Sequence, residues 1–417
     1  MSARRSDLRR VTTRDMAHGG EAVGSLEDGK TVFVAGGLPE EVLEVADLVD
    51  RGAWGRATLS SVLVPSTTRV DAPCPYFGEC GGCQWQHAAY GSQLEFKRAI
   101  IAGQLGHLGR LPDVRVRATV APGPPFGYRN KMNFQVEQGV TGQYRASSHA
   151  LVSLDACMLL VPALANLYQQ LGPLPDVTKV VIRTGMRTGE SLVVVDGAVP
   201  AQATDWGTSV VRRVGTTMHP VIGPDHIHEI VAGLRFRITG AAFFQVNTWA
   251  ADELVAVVAE ALQPGPDDVL LDAYAGGGLF TATVGRRAGR VLAVETGTYA
   301  IADLRHNLRT NGVDMAEILD GRVEEVLADH SDDWNLVICD PPRTGLGRHG
   351  VDAITGPHPR AIAYVSCDAA SFARDARLLV DRGYRLEWVT PVDQFPQTFH
   401  VETVAKFTYG DTAEVLG

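Results

Sequence analysis

A short apolar run, Ala361-Ile-Ala-Tyr-Val365, stops abruptly at Ser366 and Cys367. A thiol at the carboxyl end of a buried strand stands where open α/β sheets place their ligands, just outside the strand ends. Cys367 is therefore a candidate nucleophile, set against the plainer reading of an inert small core residue. Glu402, near the start of the strand-like Phe399-His-Val-Glu-Thr-Val-Ala-Lys-Phe407, has surroundings that suit a general base, although a solvated strand-end carboxylate reads the same way. Asp340 closes a further apolar run, Asn335-Leu-Val-Ile-Cys339, and the two prolines that follow it make a rigid loop.

These groups need a co-reactant. Asp268-Val-Leu-Leu-Asp-Ala-Tyr-Ala-Gly-Gly-Gly-Leu-Phe280 reads as strand, glycine turn and helix start, and Gly276, Gly277 and Gly278 let a ligand approach the backbone at a helix N-terminus. Glu295 ends the next strand, Arg290-Val-Leu-Ala-Val-Glu295, at a spacing that suits a carboxylate accepting from ribose hydroxyls. A lone glycine turn fits a nicotinamide cofactor equally well. The Asp340-Pro-Pro-Arg343 loop favours S-adenosylmethionine, because dehydrogenases do not characteristically carry it there and methyltransferases acting on bases often do.

A second set of thiols lies far upstream, in Asp71-Ala-Pro-Cys-Pro-Tyr-Phe-Gly-Glu-Cys-Gly-Gly-Cys-Gln-Trp-Gln86. Cys74, Cys80 and Cys83 are close in sequence, and in a cytoplasmic chain metal or cluster ligation explains them better than disulfides. Gly81 and Gly82 allow a tight turn that aims Cys80 and Cys83 at one centre, and Pro73 and Pro75 stiffen the approach. Cys157 is the available fourth thiolate, since Cys339 and Cys367 belong to the later region. The competing site is zinc with His87, but the gap between Cys74 and Cys80 is wider than the usual zinc spacing of about 2–4 residues.

The elements that must hold these residues fall into three blocks. With 417 residues, 45% of them hydrophobic and 21% charged, the chain outgrows one ordinary core and suits a soluble multidomain protein. It has no apolar run long enough for a membrane span, and its charged opening, Met-Ser-Ala-Arg-Arg-Ser-Asp-Leu-Arg-Arg, has no secretory apolar region, which places it in the cytoplasm, off the membrane. Residues 1–70 carry short alternating segments with glycine punctuation and predict a small β-barrel. Residues 71–245 hold the cysteines, a helix over 86–110, a helix over 162–170 and otherwise strands, among them Val114-Arg-Val-Arg117, whose period of two predicts one basic face. From 246 to 417 helices alternate with strands, the pattern of a doubly wound parallel sheet. The net charge of −10 argues against wholesale coating of nucleic acid. Between Ile101 and Ala150, however, Arg110, Arg115, Arg117, Arg129, Lys131 and Arg145 face only Asp113 and Glu137, a balance compatible with an RNA-facing surface.

Taken together, Cys74-x5-Cys80-Gly-Gly-Cys83 with Cys157, Phe243-Phe-Gln-Val-Asn247, Asp340-Pro-Pro-Arg343, Ser366-Cys-Asp368 and Asp393-Gln-Phe-Pro-Gln-Thr-Phe-His-Val-Glu-Thr403 resemble the bacterial RNA uracil-5 methyltransferase family. The resemblance is to the branch with an iron–sulfur cluster and an N-terminal RNA-binding barrel called the TRAM domain, and it spans nearly the whole chain. It implies a 4Fe-4S cluster on Cys74, Cys80, Cys83 and Cys157, cofactor or base contacts from Gln245, Tyr274, Glu295 and Asp340, Cys367 as nucleophile and Glu402 as base. It also implies a monomer acting on ribosomal or transfer RNA. The chain departs from the family at Asp272-Ala-Tyr-Ala, where Leu-Phe-Cys-Gly more often follows the Asp, at Ser-Cys-Asp for the commoner Ser-Cys-Asn, and at Leu38-Pro-Glu-Glu for Pro-Gly-Glu. None of these removes a catalytic group. Two other readings are a base N-methyltransferase without covalent attack and a non-enzymatic iron–sulfur RNA-binding protein.

Overall fold

The computed structural model describes residues 8–328, 330 and 332–410, so most of the charged opening run lies outside the described residues. Five short strands, β1 (Arg9–Met16), β2 (Ala22–Leu26), β3 (Thr31–Val34), β4 (Val42–Asp50) and β5 (Trp54–Val64), close into the expected barrel in the order β1-β2-β3-β5-β4. Alternation does this work: Val11, Leu26, Val32, Val34, Leu43 and Val45 point inward and form the barrel's own small core. Buried Glu41 accepts from the backbone N–H of Leu38 at 2.8 Å and Ser66 at 3.2 Å and from Arg69 at 2.5 Å, tying the barrel to the chain that leaves it.

Helix α1 (Tyr90–His107) follows, shorter at both ends than its sequence pattern. A seven-stranded sheet is then built from β6 (Lys131–Glu137), β7 (Val140–Tyr144), β8 (Leu151–Ser153), β9 (Val177–Thr184), β10 (Ser191–Gly197), β11 (Ser209–Val214) and β12 (Thr217–Ile222), in the order β12-β11-β10-β9-β6-β7-β8, with α2 (Pro162–Gln170) on one face. That face carries Phe134, Val180, Ile182 and Val193, which pack with Leu164, Leu167 and Tyr168 of α2. The opposite face sends Val181, Leu192, Val194 and Val211 into a core shared with the C-terminal half, reached also by Phe236 and Ile238 of the ribbon β13 (His226–Val231) and β14 (Leu234–Thr239).

The C-terminal region alternates α3 (Thr248–Leu262), β15 (Val269–Ala273), α4 (Leu279–Thr283), β16 (Arg290–Glu295), α5 (Thr298–Thr310), β17 (Ala316–Asp320), α6 (Val323–Val326), β18 (Leu336–Cys339), α7 (Gly347–Thr355), β19 (Ala361–Ser366), α8 (Ala369–Val380), β20 (Tyr384–Val392) and β21 (Glu402–Tyr409). Its sheet runs β17-β16-β15-β18-β19-β21-β20, parallel until β21 enters antiparallel to both neighbours. β18 and β19 are buried along their whole length, as apolar strands covered on both faces must be. The doubly wound expectation is met.

One expected element is absent. Val114–Arg117 is not a strand: its backbone pairs with β20 in the isolated Val116–Val389 bridge, without extending into a ladder. Arg117 does not present a free basic face, because its guanidinium lies 3.8 Å over the Trp388 ring and donates to Glu260 at 2.9 Å. A cation–aromatic contact and an ion pair consume the charge that the alternation seemed to expose.

Candidate active site

Cys367 follows the last residue of β19 and is half-buried. The chain turns there because Asp368 caps α8, its Oδ1 accepting from the backbone N–H of Ala370 at 3.1 Å and Ser371 at 2.8 Å. Ser366 pairs in register with Thr403, so the neighbouring Glu402 opens β21 beside the end of β19. Glu402 is only 6% exposed. Burial, and then the charges of Glu402 and Asp340, push the Cys367 thiol up to about 12, while Arg343 pulls the other way. Glu402 and Asp340 are themselves raised, by burial first and for Glu402 by Asp340 next, so this close pair holds on to a proton well above the usual carboxylate range. The structure thus brings three of the sequence candidates, Cys367, Glu402 and Asp340, into one electrostatic unit.

The glycine turn lies next to this unit. Tyr274, Gly276 and Gly278 all have positive φ, at 67°, 56° and 88°, and a side chain on Gly278 would come within 2.6 Å of Leu304 Cδ1. Glu295 braces the turn: its carboxylate accepts from Gly276 N at 2.8 Å and from Thr296 N and Gly297 N at 2.8 and 2.7 Å. The Tyr274 hydroxyl is directed at Glu324, and burial with that carboxylate raises it further. Gln245 is 7% exposed, and its Oε1 accepts from Gln394 Nε2 at 2.8 Å. Asp272 was not singled out from sequence. It is buried, accepts from the Thr281 hydroxyl, and has an Oδ1 with no hydrogen-bond partner among the described residues. Burial and the charges of Asp340 and Glu295 raise it to about 7, so it connects the turn to the Asp340 pair.

The loop from Asp393 to His400 hands the chain from β20 to Glu402, and α1 holds it. Lys97 and Asp393 form an ion pair with no exposed side-chain surface, Nζ to Oδ1 2.5 Å, and Lys97 also donates to Phe395 O at 3.0 Å. Gln93 donates to Gln397 Oε1 at 3.0 Å, and Gln397 O accepts from Gln84 N and Trp85 N, both at 3.0 Å. From sequence the helix over 86–110 carried no assigned role. The available signal was that Gln93 and Lys97 stand four apart on the face continued by Ile101 and Leu105. The barrel reaches the same place: Trp85 Nε1 donates to Gly20 O at 3.1 Å, a Cβ on Gly20 would lie 2.8 Å from Phe399, and His18 faces Asp368 across 3.5 Å. The unusual Asp of Ser-Cys-Asp is thereby compensated, and His18 is the leading cause that holds its carboxyl well below the usual range.

Cys74, Cys80, Cys83 and Cys157 line one small apolar cavity with Tyr76, Phe77 and Met132. Burial pushes Cys83 up to about 12, and the other three thiols add to the rise. Among the described residues no group of three or more His, Cys, Asp or Glu side chains is disposed to hold one metal ion. His87 does not line this cavity; its ring packs against Phe77 at 5.4 Å, and burial with the Arg69 charge lowers it to about 4. His87 thus stands apart from the four thiols. A concavity of about 600 Å³ opens elsewhere between α2 and β13, past Trp206 and His226, and contains none of the candidate residues.

A glycine turn after the first strand, an acid closing the second and Asp-Pro-Pro after the fourth, on this sheet, define a methyltransferase domain. Residues 226–407 match the family model described as tRNA (uracil-5-)-methyltransferase. An uncharacterized RNA methyltransferase of Gloeobacter violaceus is 34% identical over 94% of this chain and 94% of its own length, and one of Streptomyces coelicolor is 35% identical over 95% and 91%. Among solved structures, the Pyrococcus abyssi tRNA (uracil-54, C5)-methyltransferase in complex with S-adenosyl-L-homocysteine superposes with a TM-score of 0.77 and 26% identity, covering 96% of this chain and 99% of its own. The chain belongs to the RNA uracil-5 methyltransferase family.

Proposed function

We propose that the protein methylates C5 of a uridine in ribosomal or transfer RNA, through a covalent bond between Cys367 and C6 of the base. The observation that carries this reading is the half-buried Cys367 thiol beside Glu402 and Asp340, which hold a proton between them. Uracil C5 is too weak a nucleophile to take a methyl group unaided. Cys367 adds as thiolate to C6, which moves the ring electrons toward C5 as an enolate. S-adenosylmethionine, when bound, supplies the electrophilic methyl group; Gln245, Tyr274, Glu295 and Asp340 are the residues that would hold it or the target base. Glu402 then takes the C5 proton, the C5–C6 double bond reforms, and Cys367 leaves. Arg343 is the cation that favours the thiolate. A base inside a helix must be extruded to reach this thiol, so unpaired loops are the preferred targets.

Cys74, Cys80, Cys83 and Cys157 would hold the 4Fe-4S cluster, which supplies a cross-link between the segment before α1 and the segment before α2. The donor set is chemically suited to it: four thiols line one cavity, and each iron of such a cluster takes one thiolate. The three expected blocks, 1–70, 71–245 and 246–417, serve on this reading as RNA-binding barrel, cluster domain and catalytic domain, in a cytoplasmic monomer. No helix among the described residues is long and apolar enough to cross a membrane. The test is RNA carrying 5-fluorouridine: it should form a covalent adduct with the wild type in the presence of S-adenosylmethionine. No adduct, or an adduct retained by Cys367→Ala, would refute the assignment.

A further inference from the structure

Two cations in the central sheet have no role in the chemistry above. Arg183 is the last residue but one of β9 and Lys131 begins β6, and the two are direct cross-strand partners, so both side chains stand on one face of the sheet. Arg183 is 4% exposed, yet neither Nη1 nor Nη2 has a hydrogen-bond partner among the described residues. A buried guanidinium left without acceptors is costly. Lys131, half-buried, is in the same position: the charges acting on it are Arg183, Arg129, Lys179 and Arg213, all cations, and they add to burial in lowering it to about 7. The carboxylate that acts on Arg183 is Asp303 of α5, whose two oxygens already accept from Thr239 N and Thr239 Oγ1 at 2.7 Å each.

The pair sits next to the catalytic machinery. Asn130, the residue before Lys131, accepts from Thr184 N at 2.9 Å and donates to Val246 O at 2.8 Å and, through its side chain, to Gln245 O at 3.3 Å. Arg129 donates to Lys131 O at 3.0 Å, and its charge is felt at His400, two residues before Glu402. Beyond Lys131 the same face of β6 continues into exposed Asn133 and half-buried Gln135, so solvent reaches this face along its β6 margin. Adjacent cations with unused donors, where the covered part of this sheet face gives way to its exposed β6 margin one residue from the Gln245 segment, suit a bidentate oxyanion.

We propose that Lys131 and Arg183 seat one phosphodiester of the RNA strand that enters the catalytic cleft. The inference rests on reading the chain as an RNA-modifying enzyme, and it adds a phosphate site that positions the strand without reading its sequence. The rival anion is the carboxylate of the cofactor's amino-acid end, since Asp303 also lies near Gly277 of the glycine turn.

The experiment is a titration of the full chain with a fluorescein-labelled single-stranded oligouridylate over a range of salt, for wild type, Lys131→Gln, Arg183→Gln and Arg183→Lys, with S-adenosylhomocysteine affinity measured calorimetrically on each. Lys131→Gln and Arg183→Gln should each weaken RNA binding about tenfold at low salt. Loss of the site should also flatten the dependence of log K on log salt by about 0.7, the value for one phosphate on a single strand. Arg183→Lys should recover part of the loss, and S-adenosylhomocysteine affinity should stay unchanged. If the salt slope is unaltered in both Gln variants, or S-adenosylhomocysteine binding falls in its place, the phosphate site is wrong. Because Arg183→Gln removes a buried side chain, the half-buried Lys131 decides the case: a Lys131→Gln protein that melts normally and binds RNA as wild type does overturns the proposal. A wild type that binds no oligouridylate would defeat the RNA-enzyme reading together with this site, whereas a binding wild type with indifferent variants defeats the site alone.

Discussion

Cys83 and Cys367 are both pushed up to about 12, and in both the leading cause is burial, yet they are built for different work. Around Cys83 the secondary charges are thiols, those of Cys157, Cys80 and Cys74; around Cys367 they are the carboxylates Glu402 and Asp340, opposed by Arg343. A thiol among thiols becomes a good ligand once a metal displaces its proton. A thiol among carboxylates that share a proton, on the open end of a strand, has a base at hand and room for a substrate. The depressed acidity is common to both sites, and the neighbours decide the chemistry. Cys339 also feels carboxylates, those of Asp375, Asp340 and Asp272, but it is fully buried in β18 with its Sγ 3.9 Å from Ala363 O, which leaves no room for a substrate, and it serves packing.

The largest expected effect separates Cys367 from Cys339. Cys367→Ala should lower methyl transfer by about 10⁴-fold or more and abolish the 5-fluorouridine adduct, as removal of a nucleophile does. Cys339→Ala should leave turnover within a few fold, and the reverse result would invert the comparison. Next, Glu402→Gln should cost about 10²–10⁴-fold in turnover, because the C5 proton is no longer removed. The methylated RNA should then accumulate bound to Cys367, visible as a protein–RNA band under denaturing conditions; full turnover without that band would point to another base.

Cys83→Ser sharpens the other half. Anaerobically purified variant should lose iron and visible absorbance and melt several degrees lower, with a smaller loss of turnover than Cys367→Ala. Gln84 and Trp85, which follow it directly, hold Gln397 of the loop before Glu402, so some loss of rate is expected. A wild type that is colourless and contains zinc would remove the cluster.

The smallest effect is one of pH. Glu402 and Asp340 bind protons more tightly when folded than unfolded, so their contribution to stability is full below the unfolded carboxylate pKa and is lost as pH rises through the raised folded values, from about 4 to about 8. Glu402→Gln removes part of that loss. Its melting temperature without ligands should match wild type near pH 4 and exceed it by a few degrees above pH 8; parallel melting curves across this range would argue that the pair is not strained.

Much of this was legible because it is local. The barrel follows from alternation inside segments of four to eleven residues, and the doubly wound half from apolar runs punctuated by glycine and proline. Cys367, Asp340 and Glu402 are all placed by a strand end, which the amino-acid order marks directly. The reading failed where one local pattern admits two tertiary uses. Val114–Arg117 alternates like a strand, but it makes a single bridge to β20, and Trp388 and Glu260 take up the Arg117 guanidinium that the alternation seemed to expose. Lys97 reads as a solvated helix residue until Asp393 arrives from the far end of the chain.

The sequence by itself determined the family of chemistry: a thiol at a strand end, an acid on the adjacent run, a glycine turn, and four further cysteines set apart from them. Those are properties of spacing and side-chain type, which short segments carry. Only the tertiary structure decided that Glu402 and Asp340 act on the Cys367 thiol, that His18 of the barrel faces Asp368, and that Arg183 lies beside Lys131 with no acceptor for its Nη atoms among the described residues. Coulombic coupling and desolvation depend on distance in space and on what covers a group, and neither is written in the order of the residues.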